Sequence, residues 1–438
     1  MNNYFYALDH IPEQNKFKAG DLFILCGELF GRGYASGLVN AAKKANMKII
    51  GFSVGRREKG VLRKLTTDEL EKAQENLGGE IINLPLEAGF DLEKVNNTTI
   101  VDLLNTVKLN NWQDFDFDSD LVEKAIKQGQ ARFKKTLQEV ISIVEKKHQS
   151  GQNIHFAHIM AGGIPRAKIM MLITNRVFRS QGERYIPSAD LWNSKIGKLV
   201  ELSFNEVTAD TFSYLIEATK NLRATVAKGN KEVSYSSYGY HGSEILIDDA
   251  YSWQTYNPYQ QGHAKKRLER HAIAAREKGI KATVFNCPEI RTNSSDVFIG
   301  VELSLLPFLH SLKKECSANI STLVWENSIA KLSPDVSLES ILAELNDYFT
   351  GEIMKPYRNF DDWPLENNHD LAELMVGTSK KVTGSHINRN DLIVDYLSQI
   401  IIRSSGQLIF NSSLVLDKPV VWLGHKVLAQ NIEQINLG

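Results

Sequence analysis

A short apolar run that ends on a glycine leaves the surrounding chain few options. Leu22 to Cys26 (LFILC) is apolar and β-prone, and reads as a strand buried on both faces. Gly27, Gly31 and Gly33 follow, and Leu38, Val39, Ala41, Ala42 and Ala45 then recur at helical spacing. Lys48 to Phe52 is a second apolar run, so the stretch from Asp21 to Glu58 is strand, glycine turn, helix, strand. Glycines in such a turn allow a tight bend, close approach of the backbone to a ligand, and close packing of helix on sheet. A helix opening near Gly33 points unpaired N–H groups at an anion. The turn therefore suits a pyrophosphate, and Gly27, Leu29, Phe30, Gly31, Arg32 and Gly33 are its candidate contacts.

The end of the second strand bears on the choice of dinucleotide. An acidic residue there accepts bonds from a ribose 2′-hydroxyl, whereas an arginine accommodates a 2′-phosphate. The chain reads Ser53, Val54, Gly55, Arg56, Arg57, with no carboxylate before Glu58. That favours NADP(H) over NAD(H), and adds Ser53, Arg56 and Arg57 to the cofactor-binding candidates. The competing reading is two solvated arginines in a surface loop. The spacing G-x-x-x-G-x-G departs from G-x-G-x-x-G and resembles the turn of the short-chain dehydrogenase/reductase superfamily.

Composition narrows the class. The 438 residues are 42% hydrophobic and 24% charged with net charge −1, a globular profile with no general nucleic-acid or membrane surface. Cys26, Cys287 and Cys316 are scattered, which argues against a disulfide framework or a zinc site and fits a reducing cytoplasm. No signal peptide and no apolar run of about 20 residues is visible. Asp114, Asp116, Asp118 and Asp120 are close enough to suggest calcium. Lacking the turn glycine and the final glutamate, they are better read as a helix-capping loop, and no metal is expected.

Along the chain, Thr67 to Leu77 reads as helix and Glu80 to Leu84 as a strand stopped by Pro85. Thr98 to Leu109 reads as a short helix and Asp120 to Lys147 as a long amphipathic one. Asn153 to Met160 is a strand leading into Ala161, Gly162 and Gly163, which resembles the superfamily's Asn-Ala-Gly-Gly turn beside the nicotinamide ribose. Pro187 to Val200 and Asp210 to Ala227 are helical, Glu232 to Tyr240 is β-prone, Lys265 to Lys278 is helix and Lys281 to Asn286 a buried strand. The alternation predicts an α/β, Rossmann-type doubly wound parallel sheet with helices on both faces and a C-terminal α/β extension. The expected division is a reductase domain over 1–310 and an extension over 311–438, serving as lid or dimerisation element. In the far part, Leu303 to Leu312 is a leucine-rich candidate for a substrate or dimer surface. Ser337 caps a helix, Tyr357 to His369 looks like a linker, Asn388 to Arg403 is helical, and Leu408 to Trp422 holds two strand-like runs.

The most informative later stretch is Tyr235 to Leu268, with six tyrosines in twenty-five residues followed by a lysine-bearing helix. A tyrosine hydroxyl can donate to an oxygen that gains negative charge, and a nearby ammonium lowers its pKa from about 10. Tyr256 and Lys265 have eight residues between them, with Gly262 and Ala264 before the lysine. The segment resembles the Tyr-x8-Lys signature of trans-2-enoyl-CoA reductases and their enoyl-acyl-carrier-protein reductase relatives. Tyr238-Gly239-Tyr240-His241-Gly242 resembles the same family's Tyr-Ser-Tyr-Ile-Gly strand end. Tyr259 with Lys266 meets the Tyr-x6-Lys spacing of the shorter enoyl reductases and competes with Tyr256 and Lys265. Pro288-Glu289-Ile290-Arg291-Thr292 resembles their Gly-Pro-Ile-Arg-Thr segment, with Glu289 where that segment has proline.

The resemblance implies a cytoplasmic reductase of an α,β-unsaturated acyl-CoA or acyl-carrier-protein thioester. It gives Tyr256 the enolate oxygen with Tyr240 as helper, and Lys265 the ribose. Pro288, Ile290 and Thr292 would meet the carboxamide and phosphates. His241 and His263 are candidate proton relays. A ketoreductase or other superfamily member, and a non-catalytic NADP-binding sensor or scaffold, are the alternative readings; a homo-oligomer is compatible with either.

Overall fold

The computed structural model describes residues 4–12, 16–27, 33–54, 56–58, 60–239, 241–255, 260–292, 299–360, 364 and 366–435. The strands are β1 (Phe5–Ala7), β2 (Leu22–Cys26), β3 (Lys48–Val54), β4 (Arg56–Glu58), β5 (Val61–Arg63), β6 (Glu80–Leu86), β7 (Ile154–His158), β8 (Val233–Gly239), β9 (Ser243–Ile247), β10 (Ala250–Gln254), β11 (Lys281–Asn286) and β12 (Val420–Trp422). Eight of them form one sheet in the order β1-β12-β11-β8-β7-β2-β3-β6, and every pairing in it is parallel. The chain winds outward in one direction from β2 and in the other from β7. The crevice beyond the carboxyl ends of β2 and β7 is thus a topological switch point, where ligands of open α/β sheets bind.

Strand alternation explains the two layers. Phe23 and Leu25 of β2 face a core shared with the turn helix (Tyr34–Lys44) and the long helix Ile393–Ser412. Leu22, Ile24 and Cys26 face the other layer, which contains the helix Ser119–Lys147 and the lysine helix (Gln260–Glu277). Each such side chain, fully buried, contributes about 1.5–3 kcal/mol of transfer free energy. Asp118 caps the Ser119–Lys147 helix, its carboxylate accepting from the Asp120 amide at 2.9 Å, so the acidic run is a capping loop.

Several expectations change. Pro85 does not end its strand, because β6 lies at the sheet edge, where a missing N–H costs no ladder bond. The run at Leu408 belongs to the helix Ile393–Ser412 rather than to a strand. That helix is buried on most sides, so its apolar pattern lacks the one-faced period that marks a surface helix. Tyr357 is buried, not part of a free linker, and its carbonyl accepts from the Thr255 amide at 2.8 Å. The chain beyond residue 310 returns to the central sheet as β12, seated between β1 and β11. The helices Lys168–Phe178, Ala318–Ile329 and His369–Gly384 and the antiparallel β9–β10 hairpin are among the parts that the sequence pattern did not bring out.

Candidate active site

Gly27 leaves β2 with φ +132°, a conformation that L side chains rarely adopt. A Cβ there would lie 2.7 Å from Ile159 Cγ1, so both backbone and space demand glycine. Gly33 stands at the N-cap of the turn helix, and the nearest neighbour of a Cβ there would be Thr292 Cγ2, 3.7 Å away. Two segments far apart in sequence, both expected to touch a cofactor, therefore meet at the helix N-terminus. Tyr34 ties them further: its hydroxyl donates to the Pro288 carbonyl and its ring stacks on Tyr238 at 5.2 Å. Ile290 is buried beside them in the same core. Leu29, Phe30, Gly31 and Arg32 lie outside the described residues.

The Ala161–Gly163 turn follows β7 directly across from Gly27. Gly163, at φ +135°, packs its backbone on Phe204, where a Cβ would come within 2.6 Å of Phe204 Cα. The Gly162 carbonyl accepts from Thr208 Oγ1 at 2.7 Å, and Thr208 belongs to a π-helical turn, Asn205–Asp210. Such turns often sit at functional sites, and this one grips the lysine helix. Asp210 accepts from Arg267 at 2.6 and 3.0 Å and pairs with His271 at 2.7 Å.

Lys265 lies on the inner side of that helix, 2% exposed. Burial pushes its ammonium down to about 7. It is close enough to act on His158, whose imidazole is held down to about 3 by burial first and then by the Lys265 charge. His158 is paired in register with Cys26, the residue before Gly27. The expected lysine and the expected glycine turn are thus brought to the same strand ends. Lys266, the competing lysine, is partly exposed. Tyr240, Tyr256 and Tyr259 lie outside the described residues, as does the side chain of His263. Their neighbours are firmly held: the His241 amide donates to Asn286 Oδ1 at 3.0 Å, and Thr255 Oγ1 donates to the Tyr357 carbonyl at 2.7 Å. His241 itself is buried, with Nδ1 3.2 Å from Glu269 Oε2 and Nε2 2.9 Å from the Phe360 carbonyl.

Arg57 is held by a carboxylate rather than left for a 2′-phosphate. Arg57 forms a fork on Glu87, with Nε 2.9 Å from Oε2 and a second bond from its Nη2 at 2.5 Å. Glu87 also takes Arg166 at 2.7 Å, and Arg166 in turn grips Asp91. Burial would raise the Glu87 carboxyl, but bonds from Arg57 and Arg166 outweigh it and hold the group below the usual carboxylate range. Arg57 is therefore committed to a carboxylate that would repel a phosphate. Ser53 is turned to the Leu84 carbonyl at 2.8 Å, and Arg56 is partly exposed.

A small pocket of about 40 Å³ opens beside Thr255, the residue before Tyr256. Its walls come from β10, the segment after β11 and the helical C-terminal third, including Leu303, Tyr348, Phe349, Met354 and Met375. Leu303 belongs to the leucine-rich segment expected at a substrate surface. Tyr348 and Met375 had no signal in the sequence, because they converge only through tertiary packing. The lining of this pocket, next to the reactive stretch, is predominantly apolar.

Among the described residues no helix is long and apolar enough to cross a membrane. No curated protein matches the chain. Solved structures do match, and two of them cover almost the whole chain. One is described as the apo structure of FabMG, a novel type of enoyl-acyl carrier protein reductase: it is 48% identical, covers 98% of this chain and 97% of its own, and has a TM-score of 0.95. The other is described as an NADH-bound FabMG structure: it is 42% identical, covers 98% and 99%, and has a TM-score of 0.79. The family model for enoyl-acyl carrier protein reductase FabMG matches residues 4–432, and with the Rossmann-type sheet, the glycine turn and the buried lysine in place, the chain belongs to that enoyl reductase family of fatty-acid biosynthesis.

Proposed function

We propose that this chain reduces the α,β double bond of a trans-2-enoyl-acyl carrier protein with NADH, using Tyr256 and Lys265. The observation that carries the assignment of the lysine is its burial beside His158, in register with Cys26 at the glycine turn. NADH is preferred because Glu87 occupies Arg57, and because the 42% identical relative is described with NADH bound. The residues present fit a dinucleotide: Gly27 leaves β2 with a positive φ, a helix opens at Gly33, and Thr292 adjoins Gly33.

Bound NADH would supply the hydride. Lys265 binds ribose hydroxyls. Tyr256 donates a hydrogen bond to the thioester oxygen as negative charge moves there, worth about 3–4 kcal/mol by analogy with other oxyanion donors. Tyr240 assists, and Tyr259 with Lys266 is the competing pair. Ala161, Gly162, Gly163, Pro288 and Ile290 line the nicotinamide half, and Gly27, Leu29, Phe30, Gly31, Arg32 and Gly33, with Thr292, the pyrophosphate. The small apolar pocket beside Thr255 marks the acyl end of the site.

NADH supplied with crotonyl-CoA and, separately, with acetoacetyl-CoA tests the reading through the absorbance of the reduced nicotinamide. Consumption with the enoyl substrate alone is expected. Consumption with only the keto substrate would replace the assignment by a ketoreductase.

A further inference from the structure

Three side chains behind the lysine form one buried network. Glu269 follows Lys265 by four residues on the helix Gln260–Glu277, so the two share a helix face one turn apart, and each is 2% exposed. Glu269 Oε1 accepts from Asn286 Nδ2 at 2.8 Å, and its Oε2 lies 3.2 Å from His241 Nδ1. Asn286 is the last residue of β11 and fully buried, and its Oδ1 accepts from the His241 amide at 3.0 Å. The His241 ring extends the chain of bonds, Nε2 donating to the Phe360 carbonyl at 2.9 Å. One carboxylate thus joins the lysine helix to the ends of two strands and, through the imidazole, to the C-terminal third of the chain.

The backbone makes room for this arrangement. Asn286 is paired in register with Gly239, the last residue of β8, and a Cβ on Gly239 would land on Asn286 Oδ1. Gly239 and His241, which flank Tyr240, are therefore both held against the Asn286 amide. The surroundings are aromatic: Phe360 stacks on the His241 ring at 4.5 Å, and Trp253 and Phe5 meet it edge-on at 5.4 and 6.0 Å. Moving a carboxylate from water into such surroundings is costly, and a well-packed apolar residue joins a helix to a sheet without that cost. Directional hydrogen bonds add a fixed register, because they resist sliding and rotation of the helix in a way that apolar contacts do not. Lys265, beside His158 and one turn nearer the helix N-terminus, is the residue whose placement that register decides.

We propose that Glu269 is a positioning residue for the reduction: through Asn286 and His241 it locks the lysine helix to the ends of β8 and β11, and so sets where the Lys265 ammonium meets the cofactor ribose. The proposal rests on Lys265 being the ribose-binding lysine.

A double-mutant cycle tests it. The Kd for NADH and the single-turnover rate with crotonyl-CoA are measured in the wild type, Glu269→Leu, Lys265→Met and the double variant, each first shown by urea unfolding to be folded. On the wild-type background Glu269→Leu should raise the NADH Kd roughly fivefold and slow the single turnover, whereas on Lys265→Met it should alter the Kd by less than about twofold, because the lysine it positions is gone. A carboxylate that serves stability alone would act alike on both backgrounds. Equal effects on the two, or none on the wild type, would overturn the proposal and leave the assignment of Lys265 standing. A Lys265→Met variant that binds NADH as tightly as the wild type would overturn that assignment itself, and the proposal with it. Should Glu269→Leu not fold, Asn286→Ser cuts the same link from the strand side with the carboxylate in place, and is judged by the same two backgrounds.

Discussion

Gly37 and Gly406 touch backbone to backbone. A Cβ on Gly37 would land on the Ile402 carbonyl, and one on Gly406 would land on the backbone of Gly37. Through this contact the helix Tyr34–Lys44, which opens at Gly33, lies directly against the long C-terminal helix Ile393–Ser412. The last third of the chain is thereby built into the wall of the site, and β12 completes the sheet behind it.

Gly37→Ala should therefore destabilise the whole protein, although alanine is the better helix former. The overpacking cost, typically about 1–3 kcal/mol, exceeds the propensity gain of about 1 kcal/mol. Urea unfolding at neutral pH checks this, and equal or greater stability in the variant would count against the contact.

Asp210 anchors the lysine helix, so Asp210→Asn should loosen it. The side chain is mostly buried and holds Arg267 and His271. Burial would raise its carboxyl, but bonds from His271 and Arg267 bring it below the ordinary value. A folded-state value below the unfolded one contributes stability above the unfolded pKa and loses it as pH falls through the folded one. The variant should thus lose about 1–3 kcal/mol at neutral pH, and the deficit should shrink in acid. Denaturant melts at both pH values measure the difference.

His425 is fully buried against Phe308, and neither ring nitrogen has a hydrogen-bond partner among the described residues. Burial lowers its imidazole to about 3, as it does that of His155. The folded value lies below the unfolded 6.5, so neutral histidine stabilises above about pH 6.5 and stability drains away as pH falls toward about 3. The slope is about 1.4 kcal/mol per pH unit for each such histidine. His425→Leu should match or exceed the wild type at neutral pH and show a shallower acid slope. An unchanged slope would refute the account of this residue.

The ion pair of Arg57 with Glu87 predicts cofactor discrimination. Glu87→Gln should improve kcat/KM with NADPH relative to NADH, by releasing a guanidinium and removing a repulsive charge. Steady-state rates with the two cofactors decide it, and a ratio unmoved or shifted toward NADH would contradict the reading.

Much of this fold could be read from local pattern. Leu22–Cys26, Thr67–Leu77 and Lys281–Asn286 have the expected boundaries, because each is bounded by turn or capping residues and has one dominant period. The helix around Leu408 misled for the opposite reason: buried on most sides, it has no polar face to mark its period. Spacing singled out Lys265 and the glycines of the candidate site, and the fold brings Lys265 beside His158, the strand partner of Cys26. The pocket walls were not legible, since Tyr348, Met354 and Met375 meet only after three separate helical segments pack. Arg57 misled because its partner, Glu87, is thirty residues away in sequence, and an ion pair across neighbouring strand ends leaves no local signature.

Single-turnover reduction of a trans-2-enoyl-acyl carrier protein by NADH, in the wild type, Tyr256→Phe and Lys265→Met, tests the central claim most directly. Both variants should fold and still bind the acyl substrate. Tyr256→Phe should slow the chemical step by roughly 10²–10³-fold, as loss of an oxyanion donor does, and Lys265→Met should also weaken NADH binding. A Tyr256→Phe variant that turns over at the wild-type rate, or a Lys265→Met variant unchanged in both respects, would contradict the account.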